Sequence, residues 1–166
     1  MLTDYPDPDL VDNLRHNAVV NSQSCGAEVR VDGYLWGNKD VSEALSPSNG
    51  GKEGFDVLLL ADLNFNHSCH EALAETICMT MKQSLEARAL VFFTPYRPWL
   101  LEKDLAFFDV CKGKGMYVRK ILEKKLDTVM FEGDRGDEAL RRTVFGYEVR
   151  WNNMTLDDRH KDLATS

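Results

Sequence analysis

Val57-Leu58-Leu59-Leu60 is an uninterrupted apolar run that ends in Ala61-Asp62, and Leu90-Val91-Phe92-Phe93 repeats the pattern before Thr94-Pro95. Short runs without alternation fit strands of a parallel sheet covered on both faces. Parallel neighbours need a crossover between them, and the intervening residues supply one. Ser68-Cys69-His70-Glu71 has the capping-box spacing, Ser at N-cap and Glu at N3. Leu73, Ala74, Ile77, Cys78 and Met81 then recur on one helical face, which places Cys78 in the core. Strand, helix, strand in this order confines the chain to an open α/β sheet.

The flanking segments extend the pattern. Asp7-Pro8 reads as an N-cap and a first-turn proline, and Leu10, Val11 and Leu14 continue a helix to about Asn17. A strand is expected over 27–31, ended by Gly33. The stretch from Ser46 to Gly54 lacks apolar residues and is rich in turn formers, so it is a surface loop within the domain. Pro98 opens a helix in which Leu101, Leu105 and Phe108 recur until Gly113. Tyr117 to Leu122 reads as a strand, and Glu132 to Arg142 as a long loop with a helical turn. Over 143–151, Phe145, Tyr147, Val149 and Trp151 alternate with Gly146, Glu148 and Arg150, the period of a half-exposed strand. One partial domain over 1–151 and a flexible tail over 152–166 are expected. Open α/β sheets bind ligands beyond the carboxyl ends of their strands. Those ends carry Asp4, Asp62 with Phe65, and Tyr96.

Composition narrows the function. The 166 residues are 43% hydrophobic and 28% charged, a globular balance. A net charge of −7 argues against nucleic acid and suits a neutral or basic partner. No apolar run approaches the roughly 20 residues of a membrane helix, and Leu2-Thr3-Asp4 is not a basic signal start, so no membrane association and a cytoplasmic location are expected. Cys25, Cys69, Cys78 and Cys111 form no CxxC pair, which fits reduced thiols. The cluster His67-Ser68-Cys69-His70 has no second group to complete a tetrahedral site, and neighbouring helical residues point in different directions, so no metal is expected. His16 and His160 read as surface residues and Arg135-Gly136-Asp137 as a charged turn.

Four segments carry a more specific signal when taken together: Leu2-Thr3-Asp4-Tyr5-Pro6-Asp7, Gly33-Tyr34-Leu35-Trp36-Gly37, Ala61-Asp62-Leu63-Asn64-Phe65-Asn66-His67 and Pro95-Tyr96-Arg97-Pro98. In this order they resemble the seven-strand S-adenosylmethionine methyltransferases. Within these, they resemble the fungal branch that methylates translation elongation factor one-alpha at its N-terminus and an adjacent lysine. Members of that branch have also been labelled nicotinamide N-methyltransferase-like. The resemblance runs from about Leu2 to Trp151 and includes Leu100-Leu101-Glu102-Lys103-Asp104-Leu105 and Gly146-Tyr147. It implies a Rossmann-like sheet, S-adenosyl-L-methionine as cofactor and the elongation factor as protein substrate.

The resemblance also implies roles. Asp4 would accept hydrogen bonds from the cofactor's ribose hydroxyls, Trp36 would line the adenine pocket, and Ala61 would face the cofactor. Asp62 and Phe65 match an acidic-x-x-aromatic motif that positions the amine, the carboxylate favouring charge on nitrogen and the ring contacting the cationic head. On the residues alone, other readings stay open. Asp4 could cap the helix near Asp7, Trp36 could be a packing anchor, and Asp62 could cap the following loop with Phe65 in the core. Asn66 and His67 are polar neighbours without an assigned role.

Family members carry, before the segment matching Leu2, a first strand ending in an acidic-Gly-x-Gly loop. Gly50-Gly51 follows no strand. That first strand is central, between the strands ending at Asp4 and at Ala61. The expected fold is therefore the methyltransferase sheet lacking its first central strand and glycine-rich loop, with Met1 an internal methionine of a longer protein. Two unpaired strand edges would follow. Two other functions stay open: a non-catalytic module or remnant that holds a basic partner, and methylation of a small amine such as nicotinamide. The isolated chain is expected to bind S-adenosylmethionine weakly or not at all; micromolar binding by calorimetry overturns that expectation.

Overall fold

The computed structural model describes residues 1–22, 26, 29–39 and 54–152 and groups the strands into two sheets. In the smaller, β1 (Leu2–Asp4) lies parallel to β2 (Val31–Gly33), with Leu2 opposite Val31 and Asp4 opposite Gly33. Helix α1 (Pro8–Ser22) connects them. Asp7 caps it, its Oδ1 accepting the backbone N–H groups of Asp9 and Leu10 at 3.0 and 3.3 Å. The helix runs beyond Asn17 because Ala18 continues the buried stripe begun by Val11. Gly33 is required where β2 ends: a Cβ there would lie 2.7 Å from Pro6 Cα.

The larger sheet has the order β3-β4-β6-β5, formed by β3 (Val57–Ala61), β4 (Arg88–Phe93), β5 (Met116–Lys125) and β6 (Thr143–Trp151). β3 and β4 are parallel, with Leu58 opposite Ala89 and Leu60 opposite Val91. β6 is antiparallel to both β4 and β5. The crossovers are α2 (His70–Thr80) and α3 (Leu101–Gly113), and α4 (Glu138–Arg141) precedes β6. Leu73, Ala74 and Ile77 of α2 and Phe107, Phe108 and Cys111 of α3 form one core with Ala89, Val91, Phe93, Val149 and Trp151. Lys114 staples the two helices, its Nζ lying 3.2 Å from carboxylate oxygens of both Glu71 and Glu75. Burial pushes the Cys111 thiol up to about 12, so it is a neutral core group. This is a mixed sheet with flanking helices, part of the Rossmann-like arrangement that the resemblance implies. Among the described residues no strand joins β1 to β3, and no helix is long and apolar enough to cross a membrane.

Three expectations are corrected. β3 is not covered on both faces: Val57 is 54% and Leu59 68% exposed, because α2 and α3 pack on the face that carries Leu58 and Leu60. β6 is not half-exposed. It lies between β4 and β5 with both edges bonded, and the carboxylate of Glu148 on its second face is buried against Arg119, 2.9 Å away, and Arg88, 3.6 Å away. The capping box does not form. A 3₁₀ turn over His67–Cys69 precedes α2, Ser68 Oγ donates to Asn66 Oδ1 at 2.9 Å, and Glu71 turns to Lys114. β5 extends past Leu122 to Lys125, and β2 starts at Val31, the last residue of its expected span. Cys78 is partly buried against the core, and Asp137 of the charged turn caps α4. Residues 46–53 of the expected loop over 46–54, residues 153–166 of the expected tail over 152–166, Cys25 and His160 lie outside the described residues.

Gly146 shows how tightly the sheet is packed. A Cβ at this position would meet Phe92 Cε1 at 2.6 Å and Leu122 Cβ at 2.9 Å, beside the bulge that shifts the β5–β6 register between Lys120 and Leu122. G146A is expected to lower stability by about 1–3 kcal/mol. G113A, where a Cβ would meet nothing within 4 Å, is the control and should leave the denaturation midpoint within the scatter of a neutral surface change.

Candidate functional site

The site is built where β3 ends. Asp62 is the one non-glycine residue with positive φ, 53°, among the described residues. Its N–H still donates to Phe92 O at 2.8 Å, prolonging the β3–β4 ladder, while its Oδ1 accepts the N–H of Thr94 at 2.9 Å. Left-handed backbone is least costly for Gly, Asn and Asp, whose short polar side chains can bond locally. Asp62 therefore does not cap its own loop, as one reading allowed; it ties the end of β3 to the end of β4.

Beyond this turn lies a cavity of about 360 Å³ lined by Asp62, Asn64, Phe65, Tyr96, Arg97 and Asp104, among others. Phe65 is 54% exposed at its mouth, not in the core, and its carbonyl accepts from Arg97 Nη2 at 3.0 Å. Burial raises the pKa of Tyr96, and the neighbouring Asp62 carboxylate acts in the same direction; the phenol donates to Met130 Sδ at 3.5 Å. The Tyr96 ring meets Phe131 edge-on, with centroids 5.5 Å apart. The arrangement offers a carboxylate, a neutral phenol and an aromatic face within one small space, a chemistry suited to holding an amine.

The loop beneath the cavity is fixed by two histidines. His67 Nε2 lies 2.6 Å from Oδ1 of Asp104, a carboxylate buried at the start of α3. His70 Nε2 lies 2.8 Å from the carbonyl of Asn64 and, since a carbonyl only accepts, carries the proton. Asn64 Nδ2 reaches Asp104 O at 3.5 Å. Sequence reasoning placed Tyr96 at a strand end without a role, left His67 unassigned and passed over Asn64 and Asp104. One signal was present: Asp104 is a carboxylate on the apolar stripe of Leu101, Leu105 and Phe108.

On the other side of the same strand end is an open groove of about 650 Å³, lined by Asp4, Tyr34, Trp36, Leu59 and Ala61 with neighbouring apolar residues. Asp4 is exposed, and its Oδ1 accepts the N–H of Tyr5 at 2.7 Å; Asp7, not Asp4, caps α1. Trp36 packs partly against the core and also lines the groove, so its two readings coincide. It is held by Gly37, whose N–H donates to Thr76 Oγ1 at 2.9 Å. The five residues singled out from sequence thus divide between two compartments: Asp4, Trp36 and Ala61 in the groove, Asp62 and Phe65 in the cavity. The peptide bond between Ala61 and Asp62 joins the two.

Comparison with known proteins gives a consistent picture. No family model matches the chain. Over 159 residues, 92% of this chain and 61% of the relative, it is 45% identical to the protein N-terminal and lysine N-methyltransferase efm7 of Emericella nidulans. The proteins of the same name from Aspergillus fumigatus and Schizosaccharomyces pombe are each 44% identical, matched over 59% and 57% of their own lengths. The chain spans about three-fifths of the length of these relatives. Along about nine-tenths of its own length, the chain is similar in sequence to the fungal protein N-terminal and lysine N-methyltransferases.

Proposed function

We propose that this chain forms the acceptor side and part of the cofactor side of an S-adenosylmethionine-dependent protein N-methyltransferase. Its substrate would be an amino group at the N-terminus, or on an adjacent lysine, of translation elongation factor one-alpha, in the cytoplasm. The observation that carries the reading is the junction at Ala61–Asp62, where an open groove with a strand-end carboxylate and a tryptophan meets a cavity with a carboxylate and aromatic rings. The sequence similarity to N-terminal and lysine methyltransferases supports the reaction class.

The groove residues fit the adenosyl end of the cofactor: Asp4 supplies an exposed carboxylate for two ribose hydroxyls, Trp36 a flat apolar surface, and Ala61 a small side chain where the ligand must pass close to the strand. When bound, the cofactor supplies an electrophilic methyl group on a sulfonium. The chain's own residues act on the amine. Asp62 accepts an N–H of the incoming nitrogen and favours the positive charge that grows there. Phe65 and Tyr96 shield the nitrogen from water. Positioning a neutral amine in line with the methyl group is the main demand of such a displacement.

The test is radiolabelled methyl transfer by the full-length protein, offered the elongation factor and nicotinamide side by side. Incorporation into the elongation factor is expected, with D62A lowering kcat/KM by about 10²–10³-fold. Transfer to nicotinamide alone identifies a small-amine enzyme. Retention of the elongation factor without cofactor, and with no transfer to either substrate, identifies a binding module and overturns the proposal.

A further inference from the structure

Three charged side chains line the cavity: Asp62, Asp104 and Arg97. The two carboxylates are tied into the fold, Asp62 by the N–H of Thr94 at 2.9 Å and Asp104 by His67 at 2.6 Å. Asn64 also belongs to the lining but is buried, its Oδ1 unpartnered and out of reach of a ligand. Arg97 is different. It is exposed beside Phe65 at the mouth, and of the five N–H donors of a guanidinium only one, on Nη2, is taken, by the carbonyl of Phe65 at 3.0 Å. Among the described residues no carboxylate forms an ion pair with it. The backbone that carries it is fixed. The Tyr96 N–H donates to Thr94 O at 2.9 Å and the Leu100 N–H to Arg97 O at 2.8 Å, with Pro95 and Pro98 on either side. The cavity therefore holds one cation on a rigid turn, with donors to spare.

We propose that Arg97 is the residue that favours a chain terminus as methyl acceptor, its guanidinium donating to the carbonyl oxygen of the substrate's first residue while the Asp62 carboxylate accepts from the amine. The inference rests on the methyltransferase reading and deepens it. A terminal amine and a lysine amine offer the same N–H groups and the same lone pair, so a carboxylate alone does not tell them apart. They differ in what stands next to the nitrogen. The terminal nitrogen is bonded to an α-carbon that also bears a peptide carbonyl, an acceptor. The lysine nitrogen sits at the end of a flexible four-carbon stem, and the carbon beside it bears no acceptor. A cavity lined by both a carboxylate and a charged donor matches the first substrate in full and the second only at its nitrogen. Hydrogen bonds from a charged donor are stronger than neutral ones, and a guanidinium keeps its charge in the alkaline range where more of the amine is neutral and able to attack. Transfer to the terminus thus draws on Asp62 and Arg97 together, and transfer to lysine on Asp62.

The test uses the full-length protein and two peptides of the elongation factor's N-terminal segment. One has a free terminus and an acetylated lysine, the other an acetylated terminus and a free lysine. R97M keeps an unbranched stem and removes every donor; R97K keeps the charge. R97M should lower kcat/KM on the free-terminus peptide about tenfold more than on the lysine peptide, and R97K should recover part of that difference. An equal loss on both peptides marks Arg97 as no more than a tie to the Phe65 carbonyl and overturns the proposal, as does a larger loss on the lysine peptide or no loss on either. A misfolded R97M shows itself in its melting curve, in which case R97K is read against R97Q, whose neutral donor should favour the terminus less than lysine does. D62A reports separately on the methyltransferase reading and should lower transfer to both peptides. If the wild type transfers to neither peptide, that reading fails. Whenever the wild type does not act on both, calorimetric binding decides for Arg97: weaker binding of the free-terminus peptide to R97M than to wild type, with the acetylated-terminus peptide less affected, supports recognition of the terminus, and equal or undetectable binding rejects it.

Discussion

Everything at the site depends on how the chain leaves β3. Asp62 adopts a left-handed backbone that strands do not use, and two bonds to the β4 side hold it there: its N–H to Phe92 O and its carboxylate from the N–H of Thr94. Left-handed backbone at a residue with a Cβ costs about 1–2 kcal/mol, and that cost is tolerated where the surroundings determine the conformation. The result is a sharp change of direction that separates Ala61 from Asp62. One lines the groove and the other the cavity.

The loop after this turn is held from α3. Asp104 is buried, and a buried carboxylate is tolerable only when it is paired and hydrogen-bonded. His67 is that partner, while His70 fixes the carbonyl of Asn64. The two imidazoles that look like ligands in the sequence are thus structural ties, and they pin the backbone from which Asn64 and Phe65 project. Rigid support of this kind holds a reacting group in place better than an unconstrained loop does.

Much of the fold was legible because helix and strand periods survive in any context. The apolar run 57–60 and the alternating apolar positions of 143–151 marked strands, and the stripe of Leu73, Ala74 and Ile77 marked a helix. What those patterns left out was the neighbour. Val57 and Leu59 have the composition of a doubly covered strand but lie exposed, because covering is supplied by another element and not by the strand itself. Glu148 and Arg150 alternate like the wet side of a sheet, yet Glu148 is buried, because Arg88 and Arg119 come to it from adjacent strands. The capping box failed for the same reason: Glu71 found Lys114, distant in sequence, before it found the helix N-terminus.

The candidate site divides along the same line. Sequence alone determined the local identities: a carboxylate and an aromatic ring three residues apart after an apolar strand, a carboxylate at the end of another, and a tryptophan between glycines. Those features are short-range, and the residues carry them wherever the chain goes. Only the tertiary structure decided that they fall into two compartments, that Tyr96 faces Asp62, that Asp104 holds the loop through His67, and that Asn64 is left with an unpartnered oxygen. Each of these is set by the packing of segments far apart in the chain, where the low-dielectric interior makes a missing or a found hydrogen bond matter most.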